Sequence, residues 1–468
     1  MVWTMPVKKM QKRLFGTNGV RGVVGKDLTP DLVMVIGQSL GSMRKGRIAV
    51  GRDTRTSGEM FIRALKAGLL SVGCDVVDCG ILPTPALQYI VKEGFAAGAI
   101  ITASHNPPEY NGVKIIEPDG TEMGDEETVK LEDKIFSRAF SVEPWDRTGK
   151  ETQGPELLTN YITAITGSFS GKPGEGMTVV VDPGSGPASL TTPRILTDLG
   201  CRVLTINAIM DGTFPGRLPE PSLEGLMNCA ALVTGSGAAF GVAHDGDADR
   251  AVFIDEKGRF VEENLQFALI ASHICRRKQG IVVTPVSTGQ VAEDVVTRAR
   301  SSIEYTPVGS IYVARTMRSL LDQGKPVIFG GEGNGGLIFP EHQFCRDGGM
   351  TAAMMVSLLA STGKKLSELV DELPPRTIIK EKIVTQKGAE IIGRLKNAYS
   401  SEKIDETDGV KIFRNGSWAL IRASGTEPII RVIIDSPLPE DGQAFHTEIM
   451  NCIRKAVDSG GLEASLHL

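Results

Sequence analysis

One pattern constrains this chain more than any other: a strand–helix–strand–helix–strand succession that occurs three times. In the first pass, β-branched apolar strands at 48–51, 73–77 and 98–102 alternate with helical stretches at 59–70 and 85–92. The second places strands at 178–181, 200–204 and 240–243, with a helix over 189–199 and another before the last strand. The third has strands at 281–284, 303–306 and 327–329 and helices over 290–300 and 311–321. Each pass takes on the order of 100 residues, too long for a solenoid repeat, so three similar domains are expected. Past the Pro374-Pro375 break the pattern changes. Strands near 378–384, 410–413, 418–423 and 429–434 accompany helices near 389–397 and 442–458, which suits a small α+β domain. The expected fold class is therefore α/β: three similar α/β domains with mixed sheets flanked by helices, plus a smaller C-terminal α+β domain, around a central cleft. Boundaries are expected at 1–154, 155–257, 258–373 and 374–468.

Bulk properties narrow the function. The 51 basic and 56 acidic side chains nearly balance, with a formal charge of −5 and no long run of either sign. That excludes a broad nucleic-acid surface but allows local anion sites. Aromatics at 5% argue against base stacking. Seven cysteines are scattered without a C-x-x-C pair and read as reduced core residues. Residues 1–13 carry lysines but no apolar run after them, so no signal peptide is expected. Nothing approaches the roughly 20 apolar residues needed to span a bilayer. A soluble, cytoplasmic protein with a small-molecule partner, and with neither nucleic acid nor membrane, is the expectation.

In open α/β sheets, ligands collect beyond the carboxyl ends of strands. Each third strand here ends in a polar loop, at 102–107, 245–250 and 331–336. The middle one, Asp245-Gly-Asp-Ala-Asp-Arg250, carries the sharpest chemical signal. Carboxylates at i, i+2 and i+4 fall on one side of an extended segment and offer hard oxygen donors to a divalent cation. An acidic turn is the plain alternative. An EF-hand is rejected, because Arg250 stands where the loop needs its turn glycine and the flanks read as strands. Thr102-Ala-Ser-His-Asn-Pro107 offers Ser104 next to His105; a hydrolase elbow G-x-S-x-G is absent, and chain neighbours do not by themselves form a serine–histidine pair. Taken alone Ser104 is a turn residue. If the aspartates come near, a metal bridging them and a seryl phosphate would make it a phosphoryl carrier. Lys114 and Arg21 are candidate anion contacts, or ordinary surface cations. Glu332 and Asn334 in Gly331-Glu-Gly-Asn-Gly-Gly336 suit sugar hydroxyls, or a tight turn. Arg422-Ala-Ser-Gly-Thr426, with Arg431 nearby, suits a phosphate monoester, or a capping loop.

Laid in order, these segments resemble the α-D-phosphohexomutase family over nearly the whole chain. The carriers are Gly16-Thr-Asn-Gly-Val-Arg-Gly22, Thr102-Ala-Ser-His-Asn-Pro107 with Asn111-Gly-Val-Lys114, the Asp245 run, the Glu332 loop and Arg422-Ala-Ser-Gly-Thr-Glu-Pro428. The resemblance implies a phosphoserine at Ser104, with Ser104, Asp245, Asp247 and Asp249 around one Mg²⁺. It implies that Arg250, Glu332 and Asn334 orient the sugar, and that Arg422, Ser424, Gly425, Thr426 and Arg431 hold the non-reacting phosphate. Lys114 and Arg21 would flank the reacting centre, with His105 in support. The implied reaction interconverts hexose 6-phosphate and 1-phosphate through a hexose 1,6-bisphosphate, which also serves as activator. Relatives often carry a histidine at the end of the sugar loop, where this chain has Gly336. The Ala248 form of the metal loop, with the Thr102 and Val308 contexts, looks closest to phosphoglucosamine mutases. Phosphomannomutase or phosphoglucomutase activity by the same mechanism is the alternative, and a non-catalytic phosphosugar-binding protein the remote one.

Overall fold

A computed structural model describes residues 14–16, 18–424 and 428–458, the side chains of 456–458 excepted. Gly425 and Thr426 lie outside the described residues. The chain forms two compact units, one of Met1–Phe260 with His342–Thr362, the other of Val261–Glu341 with Gly363–Leu468.

The three repeats expected from the sequence fold onto three sheets with one shared motif. In the first unit, strand Arg47–Arg52 lies between Asp75–Ile81 and Ala97–Ile101, all parallel. Thr178–Asp182 likewise lies between Arg202–Thr205 and Phe240–His244. In the second unit, Ile281–Pro285 lies between Ser302–Thr306 and Val327–Gly331. The third strand of each motif then pairs with an antiparallel return strand: Tyr110–Ile116, Ala251–Asp255 and Leu337–Ile338. The polar loops after the third strands are thus tied at both ends to a sheet, which fixes them more firmly than free strand ends. Ala97–Ile101 and Phe240–His244 are buried along their whole length; the first reads as an unbroken apolar run and the second does so up to its final residue, His244.

The first six-stranded sheet is completed by Val20–Val23 at one edge and Glu151–Gln153 at the other. Helices Pro30–Met43 and Gly58–Ser71 bury Ile36, Leu40, Phe61, Leu65 and Leu69 in its core. At about 1.5–3 kcal/mol for each large apolar side chain removed from water, such clusters carry most of the stability. The C-terminal domain is a five-stranded antiparallel sheet in the order Thr377–Val384, Ile429–Ser436, Ser417–Ala423, Val410–Arg414, Lys403–Asp405. Helices Gly388–Ala398 and Pro439–Asp458 cover one face, packing Ile391, Leu395, Phe445 and Ile449 against Ile412, Ile421 and Val432. Among the described residues no helix is long and apolar enough to cross a membrane. Six of the seven cysteines are buried thiols, matching the expected core role.

Candidate active site

Ser104 is fully buried and sits at the end of strand Ala97–Ile101 with a left-handed φ of +52°. Its backbone N–H donates to Thr102 Oγ1 at 2.9 Å, and its Oγ donates to Asp245 Oδ2 at 2.9 Å. The loops of Ser104 and of the aspartates touch because residue 246 has no side chain: a Cβ there would stand 2.3 Å from the Ser104 carbonyl oxygen. His105 Nδ1 lies 3.4 Å from Ser104 Oγ and 2.9 Å from Arg250 Nη2. An arginine only donates, so Nδ1 is an acceptor and the imidazole proton is on Nε2. Burial, then the charges of Arg250 and Arg21, push His105 down to about 3. It is therefore neutral at physiological pH in this arrangement.

Asp245, Asp247 and Asp249 are buried, and each turns a carboxylate oxygen to within 4.8 Å of the others. Cations secure one side of the cluster. Lys114 Nζ, 2% exposed, donates to Asp247 Oδ2 at 2.6 Å and Asp249 Oδ2 at 3.2 Å. Thr84 Oγ1 donates to Asp247 Oδ2, and Arg346 Nη2 donates to Asp249 Oδ2 at 2.6 Å. Arg250 Nε stands 3.9 Å from both Asp245 Oδ2 and Asp249 Oδ1. Arg21 reaches the same neighbourhood through a 2.9 Å bond from Nη1 to Asn106 Oδ1.

These contacts leave the other side unsatisfied. Asp247 Oδ1 and Asp249 Oδ1 are buried without a hydrogen-bond partner. An unmatched buried anionic oxygen costs several kcal/mol in an apolar setting. Three hard oxygen donors converging at this distance fit a divalent cation such as Mg²⁺. Proton affinities carry the same strain. Burial and then the charges of Asp249 and Asp247 raise Asp245 far above the usual carboxylate range. Burial also presses Asp247 and Asp249 upward, but Lys114 for the first and Arg346 with Lys114 for the second more than offset it, and both end below the usual range. Burial presses Lys114 downward, and the two carboxylates overcome that to hold it charged, above its ordinary value.

In the second unit, Glu332 and Asn334 share a cavity wall with Arg422, Arg431, Lys380 and Asn264. The Glu332 loop is a tight hairpin: Glu332 N donates to Gly336 O at 2.8 Å, and Gly336 N donates to Asn334 Oδ1 at 3.1 Å. Arg422 and Arg431 are directly opposed in the register of their antiparallel strands. Like charges facing across a sheet are destabilising until an anion sits between them. Arg422 Nε is held by Asp408 Oδ2 at 2.9 Å. Ser424 closes the strand end with its N–H on Ile429 O at 2.9 Å.

The sequence-expected residues thus form two groups. Ser104, His105, Lys114, Arg21, Arg250 and the three aspartates gather in the first unit, and Glu332, Asn334, Arg422 and Arg431 in the second. Sequence reasoning missed Arg346 and Thr84, which reach the aspartates from positions 97 and 163 residues away in the chain. Neither belongs to a local pattern that would single it out.

Similarity to known proteins agrees with this geometry. Four family descriptions match in chain order: "Phosphoglucomutase/phosphomannomutase, alpha/beta/alpha domain I" over 12–142, domain II over 159–258, domain III over 262–377, and the C-terminal domain over 379–451. The phosphoglucomutase/phosphomannomutase of Thermococcus kodakarensis is 44% identical over 92% of this chain and 96% of its own length. The chain belongs to the phosphoglucomutase/phosphomannomutase family. The mutase is also 36% identical to the phosphoglucosamine/phosphogalactosamine mutase of Sulfurisphaera tokodaii, over 91% of this chain and 95% of that one. Its fold matches the crystal structure of a phosphoglucomutase/phosphomannomutase family protein from Burkholderia thailandensis, with a TM-score of 0.85 and 25% identity across 97% and 99% of the two chains. The mutase is therefore a phosphohexomutase, an isomerase of hexose phosphates, with the expected three α/β domains and C-terminal domain.

Proposed function

We propose that the mutase interconverts glucosamine 6-phosphate and glucosamine 1-phosphate by way of a phosphorylated Ser104. The observation that carries this reading is the 2.9 Å bond from Ser104 Oγ to Asp245, inside a cluster of three aspartates and the charged Lys114. Asp245, Asp247 and Asp249 would hold Mg²⁺, which when bound supplies charge neutralisation at the phosphoryl group.

In the forward half-reaction the bond between Ser104 Oγ and phosphorus breaks as a bond forms from the free sugar hydroxyl oxygen to phosphorus. The product is a hexose 1,6-bisphosphate; the attacking hydroxyl loses its proton and the departing Ser104 Oγ takes one up, regenerating the hydroxyl that donates to Asp245. After the bisphosphate turns over, its other phosphate returns to Ser104 Oγ. Such transfer depends on positioning and electrostatics more than on covalent chemistry. Lys114 and Arg21 offset charge on the transferring group, and Arg250 orients the sugar. Glu332 and Asn334 take the sugar's polar groups, and the Glu332 side chain offers the ammonium of glucosamine a hydrogen-bond acceptor. Arg422, Arg431, Ser424, Gly425 and Thr426 hold the phosphate that is not reacting. The cytoplasm is the proposed compartment, and hexose 1,6-bisphosphate the proposed activator.

A second substrate reading, mannose and glucose phosphates by the same relay, is favoured by the 44% identity to a protein named phosphoglucomutase/phosphomannomutase. Steady-state assays with Mg²⁺ on glucosamine, mannose and glucose 6-phosphates, each with its bisphosphate, separate the two. The relay is tested by Ser104→Ala, expected to retain substrate binding and lose at least 1000-fold in kcat, as loss of a covalent carrier demands. Isomerisation at a wild-type rate in Ser104→Ala refutes it.

A further inference from the structure

Arg55, 1% exposed, follows the central strand of the first sheet and points its guanidinium into the Ser104 loop. It donates to four backbone carbonyls of that loop: Nη1 to Pro107 O at 2.7 Å and Tyr110 O at 2.9 Å, Nη2 to Ser104 O at 2.8 Å and Asn106 O at 2.6 Å. Its Nε donates to Asp53 Oδ2 at 3.2 Å. Asp53 Oδ2 also accepts from Thr102 Oγ1 at 2.6 Å, and Thr102 Oγ1 in turn accepts the Ser104 N–H at 2.9 Å. Both backbone polar groups of Ser104 are therefore tied to a single buried Asp–Arg pair. Ser104 needs this: a non-glycine residue at φ +52° persists only where its surroundings over-determine it.

The second sheet repeats the device. Asp182 closes its central strand, and Arg217 Nε donates to Asp182 Oδ2 at 3.0 Å, with both side chains fully buried. Arg217 Nη2 donates to the carbonyl of His244, the residue before Asp245, at 2.7 Å. At equivalent strand ends, then, a buried pair grips the backbone of the loop that carries a reacting group. A fully buried ion pair adds little net stability compared with apolar packing. What a planar fork with five donors supplies, and an ammonium does not, is fixed geometry.

We infer that Arg55 is a positioning residue for phosphoryl transfer, clamping the Ser104 loop so that Oγ faces the aspartate cluster. The inference rests on the reading of Ser104 as the phosphoryl carrier. In full-length Arg55→Lys, the fraction phosphorylated at Ser104 is measured by intact mass and peptide mapping after charging with glucose 1,6-bisphosphate. The single-turnover rate of transfer to the hexose phosphate preferred by wild type is then measured per phosphorylated molecule. That rate is expected to fall about 100-fold, as for displacement of a reacting group by about 1 Å, while KM stays within threefold. A purely structural role lowers the melting temperature and the folded fraction but leaves the rate per phosphorylated molecule unchanged; a rate within threefold of wild type overturns the inference. Should Arg55→Lys fail to fold, Thr102→Val removes only the hydroxyl link. It is expected to slow transfer about tenfold, the worth of one hydrogen bond, and an unchanged rate is equally fatal. Wild-type protein that carries no phosphate on Ser104 refutes the carrier reading itself, a distinct outcome.

Discussion

Lys411 on strand Val410–Arg414 is 3% exposed, and its consequence for stability can be worked through. Its Nζ donates to Val286 O at 2.8 Å and stands 3.9 Å from the Trp418 ring centroid, with the Tyr305 and Phe413 rings at 5.3 and 5.4 Å. Burial outweighs the attraction of Asp405 and Asp435 and lowers its pKa from 10.5 to about 8. Below pH 8 the ammonium is charged in both folded and unfolded chains, and the folded state bears the full penalty. That is about 3–4 kcal/mol, from roughly 2.5 pH units at about 1.4 kcal/mol each. As pH rises through 8 toward 10.5 the folded chain releases its proton first, so this contribution to stability increases with pH. Between pH 7 and 9.5 the linkage relation gives a gain of about 2 kcal/mol. Lys411→Met removes the titrating group and its pH dependence. The measurement is urea unfolding of wild type and Lys411→Met at several pH values, followed by emission of the buried Trp418. The difference in unfolding free energy between the two proteins should change by about 2 kcal/mol across that range, in favour of wild type at high pH. A difference that stays constant within about 0.5 kcal/mol refutes the argument, because the amine would then not be paying for its burial.

Two further outcomes concern the reacting loops. Gly246→Ala places a Cβ 2.3 Å from the Ser104 carbonyl oxygen, so one loop must move. Turnover should fall about 100-fold, against a stability loss of only about 1–3 kcal/mol, and wild-type turnover would show that the loops need not touch. Asp249→Asn removes a charge held by Lys114 and Arg346. Mn²⁺ binding, followed by electron paramagnetic resonance without substrate, should weaken at least 10-fold, and unchanged affinity would exclude Asp249 as a ligand.

The strands of the three repeats could be read from the chain because parallel strands buried on both faces are unbroken apolar runs. Ala97–Ile101 is the plainest case. Return strands such as Tyr110–Ile116 were harder, since Asn111 and Lys114 interrupt the apolar pattern while being buried for the site's sake. The aspartate triplet was visible because its alternation is local. Arg55 was not: it bonds backbone carbonyls, which every residue possesses, so its partners leave no trace in side-chain identity. Arg346 is local to nothing it serves. Lys411 looked like any strand lysine, because the Trp418 and Tyr305 rings and the Val286 carbonyl around it come from another strand and another domain.

The segment His342–Thr362 belongs to the first unit although residues 261–341 of the second precede it in the chain. Genetically, this makes the second unit's first portion an insertion rather than an appendix. A gene cut after codon 260 would encode Ser104 and all three aspartates, yet its product would lack Arg346, one of the cations on Asp249, and Asp347, which accepts the Tyr161 hydroxyl at 2.7 Å. Such a half-enzyme would need the segment His342–Thr362 supplied in trans.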